Sequence, residues 1–417
     1  MKVLAIELTN YRGFQHAVLE LQRPLTVLIG PNGAGKSSVL DALSVVIGVA
    51  VVEALRRPWV VPALAPSDLH RSAAHAELGA TLSIGGQRAS VRLTADRSNG
   101  SVTMGTAVRH LAARALDEVP AAYLALAYGS RRHAAPDLRE RWKGGAGPEA
   151  TTPLDALVGA LSDGGLGFTE FFRWFRDRED QENAEKVLRS SLSYVDPQLT
   201  AVRDAVTALL PGFTGLRVDR ASLCMVLIKD GEELSVEQLS DGERNLLTLA
   251  GDIARRLAIA NPAHPAPREA EAVVLVDEIE LHLHPRWQRE AVGALRRAFP
   301  GVQFVLTTHS PQVLSTVPSE AVVLVRDFQV YAPPAPTEGR DSNAILGEVL
   351  GVAERPEAMA ARLREVVDLI DVERLAEARS RLDALAGELT ERDTEVLRLR
   401  TMLDVLGRLD APDRQGG

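Results

Sequence analysis

Short, largely apolar runs recur along the chain and are separated by segments with helical periodicity. Three of these runs, residues 25–29, 272–276 and 303–307, have the length and composition typical of strands buried on both faces. Helical patterns follow the first two, through residue 49 or beyond and over residues 286–299. Because buried strands that alternate with helices form a sheet covered on both faces, this pattern predicts an α/β fold.

Strand-like segments also occur in pairs, which predicts β-hairpins. The pairs are residues 3–8 with 17–21, 78–84 with 88–93, and 321–325 with 328–331. Gly85 and Gly86 separate the middle pair and can adopt the positive φ angles that tight hairpin turns need. Strand character is also expected at residues 121–127 and 215–228.

Two regions differ from this pattern and divide the chain. Residues 131–211 hold glycine-rich loops and then an aromatic segment, 171–175, that favours a helix. After a proline-rich linker at 333–336, residues 343–408 carry apolar positions at helical spacing. We therefore predict an α/β domain in two parts, an inserted helical lobe and a helical C-terminal region. The α/β parts are residues 1–130 and 215–332, the lobe is 131–214, and the C-terminal region is 333–417.

Composition narrows the class of protein. The chain has 417 residues, of which 46% are hydrophobic, enough for a sizeable core. Its formal net charge of −9 argues against a generally basic nucleic-acid surface but leaves a local basic groove open. The single cysteine rules out an intrachain disulfide, and no apolar stretch approaches the roughly 18 residues of a membrane helix. Residues 1–14 are too polar for a secretory signal, so we expect a cytoplasmic protein without a membrane partner.

A glycine-rich loop lies between the first buried strand and the helix after it. It fits the pattern G-x-x-x-x-G-K-[ST] and consists of Gly30, Pro31, Asn32, Gly33, Ala34, Gly35, Lys36 and Ser37, followed by Ser38. Glycines let backbone N–H groups approach phosphate oxygens, and the helix N-terminus adds partial positive charge. Lys36 is expected to reach the β- and γ-phosphates, and Ser37 to ligate Mg²⁺. The loop therefore predicts a site for ATP and Mg²⁺.

Two carboxylates end the second buried strand, at the edge where open α/β sheets place their ligands. Asp277 is predicted to hold Mg²⁺ through water, and Glu278 to polarise the attacking water. Acidic residues at such positions also cap helices. The phosphate loop in the same chain favours the interpretation as a metal and water site.

Two further segments offer candidate contacts to a γ-phosphate. Ser240 and Glu243 match a capping box at the start of a helical segment, with Gly242 between them. A capped helix start with a free glycine also binds anions, so Ser240 and Gly242 can serve both purposes. His309 ends the third buried strand, where it can stabilise the transferred phosphoryl group. Ser310 after it explains the next helix start without any chemistry.

Along the chain, the phosphate loop is followed by the Ser240 segment, the acidic strand end and His309. In this order, the four elements resemble the head of ABC-type ATPases. The opening Asn-Tyr-Arg-Gly-Phe at 10–14 is similar to the RecF/SMC-like branch and makes Arg12 a candidate nucleotide contact. Residues 127–132 and 278–288 resemble a bacterial group of predicted ATP-binding proteins of the AAA-21 kind. That group includes the ATPase subunits of Septu and of some retron defence systems. The resemblance implies a P-loop ABC-type head, with a mixed sheet, flanking helices, an inserted helical lobe and a helical tail.

The resemblance also implies a dimer. In such heads each ATP lies between the phosphate loop of one chain and the signature of the other. Ser240 and Gly242 would therefore act in trans, and residues 280–284 would form the D-loop at the dimer seam. We expect a homodimer and leave a higher oligomer open.

One departure from the ABC pattern concerns the loop that couples the metal site to the helical lobe. ABC heads usually carry a glutamine there, but no glutamine occurs between Gln87 and Gln181. Residues 128–132 are expected to occupy this loop, and Ser130 is a candidate replacement for the glutamine.

Three biological roles remain open at this point. The first is an ATP-driven switch that controls a partner effector, such as an HNH-type nuclease in anti-phage defence. The second is a DNA-binding repair or recombination ATPase of the RecF type. Its basic contacts would be Arg131, Arg132, His133, Arg139, Arg141 and Lys143, or Arg173, Arg176 and Arg178. The third is a nucleotide-gated scaffold without turnover, against which the combination of Lys36, Asp277, Glu278 and His309 argues.

Overall fold

A computed structural model of the chain describes residues 1–55, 63–97, 102–104, 124–130, 152–161, 168–353, 355–390 and 392–409. The chain divides into two compact units, Met1–Leu350 and Gly351–Gly417. Within the described residues of the first unit, the strands are β1 (Lys2–Tyr11), β2 (Phe14–Glu20), β3 (Leu25–Ile29), β4 (His75–Ile84), β5 (Gln87–Asp96), β6 (Val102–Met104), β7 (Ala125–Tyr128), β8 (Phe213–Asp219), β9 (Cys224–Lys229), β10 (Glu232–Ser235), β11 (Ala272–Val276), β12 (Val302–Thr307), β13 (Val322–Arg326) and β14 (Gln329–Tyr331).

The helices of the first unit are α1 (Lys36–Leu55), α2 (Phe168–Leu188), α3 (Pro197–Leu209), α4 (Asp241–Ala260), α5 (Pro285–Ala298), α6 (Pro311–Leu314) and α7 (Ser342–Ala344). The second unit holds α8 (Glu357–Asp371), α9 (Leu375–Leu389) and α10 (Thr394–Leu409), which share a small apolar core of their own. Among the residues described, no helix is both long and apolar enough to cross a membrane.

The sheet that positions the site has the strand order β14-β13-β3-β12-β11-β7. Its pairs are parallel except for the β13–β14 hairpin. Every residue of β3, β11 and β12 is buried, as expected for strands with both faces covered. Because these strands run in parallel, their carboxyl ends meet at one edge of the sheet, and the phosphate loop and the acidic strand end lie there.

Two antiparallel sheets complete the first unit. One has the order β2-β1-β4-β5-β6, and the other the order β10-β9-β8. The helices of the predicted lobe, α2 and α3, pack against α4. The predicted α/β fold with a mixed sheet, flanking helices and a helical C-terminal region is therefore confirmed.

Some predicted boundaries differ from the structure. The strand expected at 121–127 occupies Ala125–Tyr128, and residues 121–123 lie outside the described part. β8 already begins at Phe213, inside the range predicted for the lobe, of which residues 131–151 and 162–167 are outside the description. The second unit begins at Gly351 rather than at 333. The reason is that Thr337 is fully buried in the first unit, where its hydroxyl donates to the carbonyl of Val317 at 2.7 Å.

Candidate functional site

The phosphate loop connects β3 to α1, and its backbone requires glycine. Gly30 has a φ of 142°, and a Cβ there would lie 1.9 Å from the carbonyl oxygen of Val325. Gly35 has a φ of 108°, and a Cβ there would lie 2.7 Å from the ring of Phe14. A side chain at Gly33 would meet no atom within 4 Å, so the loop is open on that side. The loop is thus fixed from behind and accessible at Gly33, as a phosphate-binding loop requires.

Lys36 begins α1 and folds back over the loop. Its ammonium donates to the carbonyl oxygens of Gly30 and Pro31, both at 3.0 Å. Lys36 is only 6% exposed. An ammonium has three donors, so after these two bonds within the described part of the chain a third N–H is left for a phosphate oxygen. Burial lowers the pKa of Lys36, and the negative charges of Asp277, Glu278 and Glu280 oppose this shift. All three carboxylates therefore lie close enough to Lys36 to affect its pKa.

Ser37, Asp277 and Thr307 form a hydrogen-bonded cluster across three neighbouring elements. The Ser37 hydroxyl donates to Oδ2 of Asp277 at 2.9 Å, and the Thr307 hydroxyl donates to Oδ1 at 2.6 Å. The structure thus brings together the two predicted metal ligands, Ser37 and Asp277. Hydroxyl and carboxylate oxygens are the ligands that Mg²⁺ prefers, so the residues present fit this ion. Thr307 was not predicted as a site residue, and its only signal is a hydroxyl at the end of a buried strand.

Glu278 has a left-handed backbone, with a φ of 49°. Such a conformation costs about 1–2 kcal/mol outside glycine and persists only where the surroundings enforce it. Here the Glu278 amide donates to Oγ1 of Thr307 at 2.7 Å, and the Ile279 amide donates to the Thr307 carbonyl at 3.0 Å. Strain of this kind often occurs at catalytic positions, because it sets the direction of one side chain.

Glu280 connects the acidic strand end to His309. Its Oε1 accepts a hydrogen bond from the His309 amide at 2.5 Å, whereas Oε2 is buried and has no partner among the described residues. Burial, and then the charge of Lys36, lower the pKa of His309, so its imidazole is neutral at pH 7. The sequence predicts Glu280 only as part of the D-loop. The signal for a closer role is its position two residues after Glu278.

Ser240 caps α4 as predicted. Its hydroxyl accepts from the Glu243 amide at 3.3 Å, and the Glu243 carboxylate accepts from the Ser240 amide at 3.0 Å. A Cβ at Gly242 would lie 2.6 Å from the carbonyl oxygen of His282, so this helix start packs against residues 280–284. Within the described residues, neither Ser240 nor Gly242 hydrogen-bonds to the phosphate loop of its own chain.

Arg12 lies beside the start of α1. Its guanidinium donates to Asp68 at 2.9 Å, to Asp41 at 2.5 Å and to Ser38 at 3.3 Å. Burial opposes the charged form, but Tyr11 and the hydrogen bonds to the two carboxylates outweigh burial and raise the pKa of Arg12. Arg12 thus contacts Ser38, the neighbour of the predicted metal ligand Ser37. A contact between Arg12 and the nucleotide stays a prediction.

The loop in which ABC heads usually carry a glutamine begins here at Tyr128, the last residue of β7. The Tyr128 hydroxyl donates to Asp252 on α4 at 2.9 Å, in the buried interior. Ser130, the candidate replacement for the glutamine, is exposed, and the residues after it lie outside the described part.

The predicted basic contacts for DNA have two different outcomes. The group from Arg131 to Lys143 lies outside the described residues. In the second group, Arg176 pairs with Asp177 at 2.7 Å and Arg178 pairs with Asp196 at 2.9 Å. These ion pairs neutralise much of the charge that phosphates would need.

Comparisons with known proteins find similarity to ATPase domains and to probable ATPases. Residues 146–315 match the family model described as "AAA domain, putative AbiEii toxin, Type IV TA system", and residues 1–56 match the "AAA ATPase domain" model. The chain is 39% identical to the "Retron Ec83 probable ATPase" of Escherichia coli over 204 residues, which is 48% of this chain but only 38% of that protein. It is 27% identical to the "Retron Vc95 probable ATPase" of Vibrio cholerae, over 88% of this chain and 81% of that protein.

Two further similarities are shorter or more distant. The chain is 42% identical to the Septu protein PtuA of Bacillus mycoides over 93 residues, which is 22% of this chain and 13% of that protein. A crystal structure of an Smc head bound to the C-winged helix domain of ScpA has a TM-score of 0.46 and 18% identity, over 79% of this chain and 97% of that chain.

Proposed function

We propose that this chain, a homologue of the retron Ec83 and Vc95 probable ATPases, binds ATP with Mg²⁺ and hydrolyses it between the two chains of a homodimer. The observation that carries the proposal is the cluster of Ser37, Asp277 and Thr307 beside the phosphate loop. The cluster joins two hydroxyls and a carboxylate at one sheet edge, and the buried ammonium of Lys36 lies in the adjoining loop, so the groups that phosphoryl transfer uses are available together.

Each residue has a defined task in this proposal. The loop amides and Lys36 bind the phosphates, and Ser37 and Asp277 would hold Mg²⁺. Mg²⁺, when bound, neutralises charge on the phosphate oxygens. The Glu278 carboxylate orients the attacking water and accepts its proton, and the neutral imidazole of His309 hydrogen-bonds to the transferred group.

The dimer is supported by the position of the signature. Ser240 and Gly242 are predicted phosphate contacts, yet they have no hydrogen bond to the loop of their own chain in the described residues. Gly242 is instead buried against residues 280–284, so the signature and the D-loop are in direct contact. A two-fold dimer would bring the signature to the phosphate loop of the partner and complete two equal sites.

The biological role that we propose is control of a partner effector. The retron and Septu names of the relatives support a defence role, and an HNH-type nuclease is the effector class that we favour. In this role ATP turnover acts as a switch, and the helical C-terminal unit is available as a docking platform.

Complementation between two inactive variants tests the shared site. Lys36→Ala removes the phosphate contact of one chain, and Ser240→Arg places a bulky side chain at the exposed signature position of the other. A mixed dimer pairs the intact loop of the second variant with the intact signature of the first. Mixing should therefore restore about a quarter of wild-type ATPase activity, because half of the dimers are mixed and each has one intact site.

Two controls complete this test. Glu278→Gln should lose turnover but keep an ATP-stabilised dimer, measured by light scattering after size exclusion. Mixing Glu278→Gln with Lys36→Ala should restore nothing, because both changes affect the loop side of the same site. Activity in either single variant, or no recovery on mixing in spite of dimer formation, would contradict a site shared between chains.

A further inference from the structure

A buried polar network connects the metal edge of the sheet to the signature helix α4. The Tyr128 carbonyl accepts a hydrogen bond from the Asp277 amide at 2.9 Å. On the other side, the Tyr128 hydroxyl donates to Oδ2 of Asp252 at 2.9 Å. Tyr128 is 6% exposed and Asp252 is 2% exposed, so no bulk solvent competes for this bond. A single residue thus touches both the predicted metal ligand and the helix that begins after Ser240.

Asp252 is held tightly within α4. Both Arg255 and Arg256 donate to it, the second from Nε at 2.9 Å. Arg256 also donates to the carbonyl oxygens of Ala156 and Val158, at 2.7 and 2.9 Å, and so fastens a second segment to the helix. Tyr128 and Asp252 are buried and the two arginines are mostly so, and a hydrogen-bonded network of this kind is rigid because a lost bond would leave a buried polar group without compensation.

The Tyr128 hydroxyl is a permanent donor in this network. It donates to a carboxylate oxygen, which can only accept, and the bond lies in the buried interior. Asp252 stays ionised because the two arginines more than offset the effect of burial on its pKa. The direction of the hydrogen bond is therefore fixed, from the sheet edge to the helix.

We propose that Tyr128 is a positioning residue that transmits changes at the Asp277 edge to the signature helix through its bond to Asp252. This inference rests on the proposed ATPase function and deepens it. The loop after β7 contains no glutamine to make such a connection, and Ser130 is exposed. α4 is a continuous helix from Asp241 to Ala260, so a shift at Asp252 moves its first turn, and with it Ser240 and Gly242, as one body.

A conservative variant and a matched control separate this role from simple packing. Tyr128→Phe removes only the hydroxyl. Thr248→Val removes a hydrogen bond on the same helix, from the Thr248 hydroxyl to the Arg244 carbonyl at 2.7 Å, and among the described residues this hydroxyl has no hydrogen bond to β7. Tyr128→Phe should bind ATP within about twofold of wild type but form the ATP-dependent dimer about tenfold more weakly. Thr248→Val should keep wild-type dimerisation.

Hydrogen exchange gives a readout that does not depend on dimerisation. With ATP at a protein concentration where the chain is monomeric, wild type should slow exchange both in the phosphate loop and over residues 240–246. Tyr128→Phe should keep the first effect and lose the second. Protection of 240–246 that persists in Tyr128→Phe, or equal dimer loss in Thr248→Val, would overturn the inference. An absence of ATP protection in the wild-type phosphate loop would instead overturn the proposed function.

If Tyr128→Phe is unfolded by circular dichroism, the comparison moves to the wild type alone. ATP protection in the phosphate loop without protection at 240–246 would then contradict the transmission that we propose. Protection of both regions, with unchanged exchange in the β8–β10 sheet, would support it.

Discussion

The Ser37 hydroxyl donates a 2.9 Å hydrogen bond to Oδ2 of Asp277, which lies 240 residues further along the chain. The second oxygen of the same carboxylate accepts from Thr307. The phosphate loop, the acidic strand end and β12 are thus joined at one carboxylate. This arrangement orients the oxygens of Ser37 and Asp277 toward each other before any ion binds, and preorganisation of ligands is what raises metal affinity.

We expect Ser37→Ala to remove the benefit that Mg²⁺ gives to ATP binding. In the wild type, Mg²⁺ should strengthen binding of a fluorescent ATP analogue relative to binding with EDTA. Loss of one oxygen ligand should reduce this Mg²⁺-dependent gain by about tenfold or more. Binding without Mg²⁺ should change little, because the loop amides and Lys36 remain in place.

Ser44→Ala is the matched control for this change. Ser44 lies on the same helix and is buried, and its hydroxyl donates to the Leu40 carbonyl at 3.0 Å. It should keep the full Mg²⁺ effect. An unchanged Mg²⁺ effect in Ser37→Ala would show that Ser37 is not a metal ligand.

Two glycines of the loop should lose stability to different extents when replaced by alanine. Gly30→Ala forces a Cβ to 1.9 Å from the Val325 carbonyl and should cost about 2–4 kcal/mol of stability. Gly33→Ala meets no atom within 4 Å and should cost only about 1 kcal/mol, from its positive φ. Thermal unfolding compares the two variants directly. If both lose the same stability, the close approach at Gly30 is not a constraint on folding.

The parts of the fold that follow from local pattern could be predicted from the sequence. The strand at 25–29 has the predicted bounds, because a run of five residues of which four are apolar, between turn signals, fits a buried strand and little else. The cap at Ser240 was predicted for the same reason, since its partner Glu243 lies only three residues away. Patterns of this kind need no knowledge of the tertiary structure.

Contacts between distant residues were not accessible in this way. The bond from the His309 amide to Glu280 spans 29 residues, and that from Tyr128 to Asp252 spans 124. Neither pair has a spacing that periodicity detects, because the sheet order decides which strand ends meet. The sequence predicts Ser130 as the replacement for the glutamine in the loop after β7. It does not predict the contact that the structure shows from Tyr128 to Asp252 on α4.

Acid should weaken the first unit through Asp252. The arginines beside it lower its pKa from 3.8 to about 2 in the folded chain despite its burial. A depressed carboxylate pKa stabilises the fold above the unfolded pKa, and this contribution is lost as pH falls from about 4 to 2. At 1.36 kcal/mol per pKa unit, the contribution at neutral pH is roughly 2 kcal/mol.

Urea unfolding at several pH values between 7 and 2 measures this effect. Trp174 and Trp287 lie in the described part of the first unit, so tryptophan fluorescence reports on it. The difference in unfolding free energy between wild type and Asp252→Asn should shrink below pH 4, and Asp204→Asn, at an exposed position, is the surface control, with a small difference at pH 7. A difference for Asp252→Asn that does not depend on pH would contradict the lowered pKa.

Glu280 can act through its hydrogen bond or through its charge, and two substitutions separate these effects. Glu280→Gln keeps an oxygen that can accept from the His309 amide but removes the negative charge near Lys36. Glu280→Ala removes both and frees the backbone that carries His309. If the hydrogen bond matters, Ala should lower kcat roughly 10- to 100-fold, because a displacement of about 1 Å at a reacting centre has that effect, while Gln should stay within about threefold of wild type. Steady-state ATPase assays with saturating ATP, together with thermal unfolding to verify the fold, decide between them. Equal losses in the two variants would show that the charge of Glu280, and not its hold on His309, supports turnover.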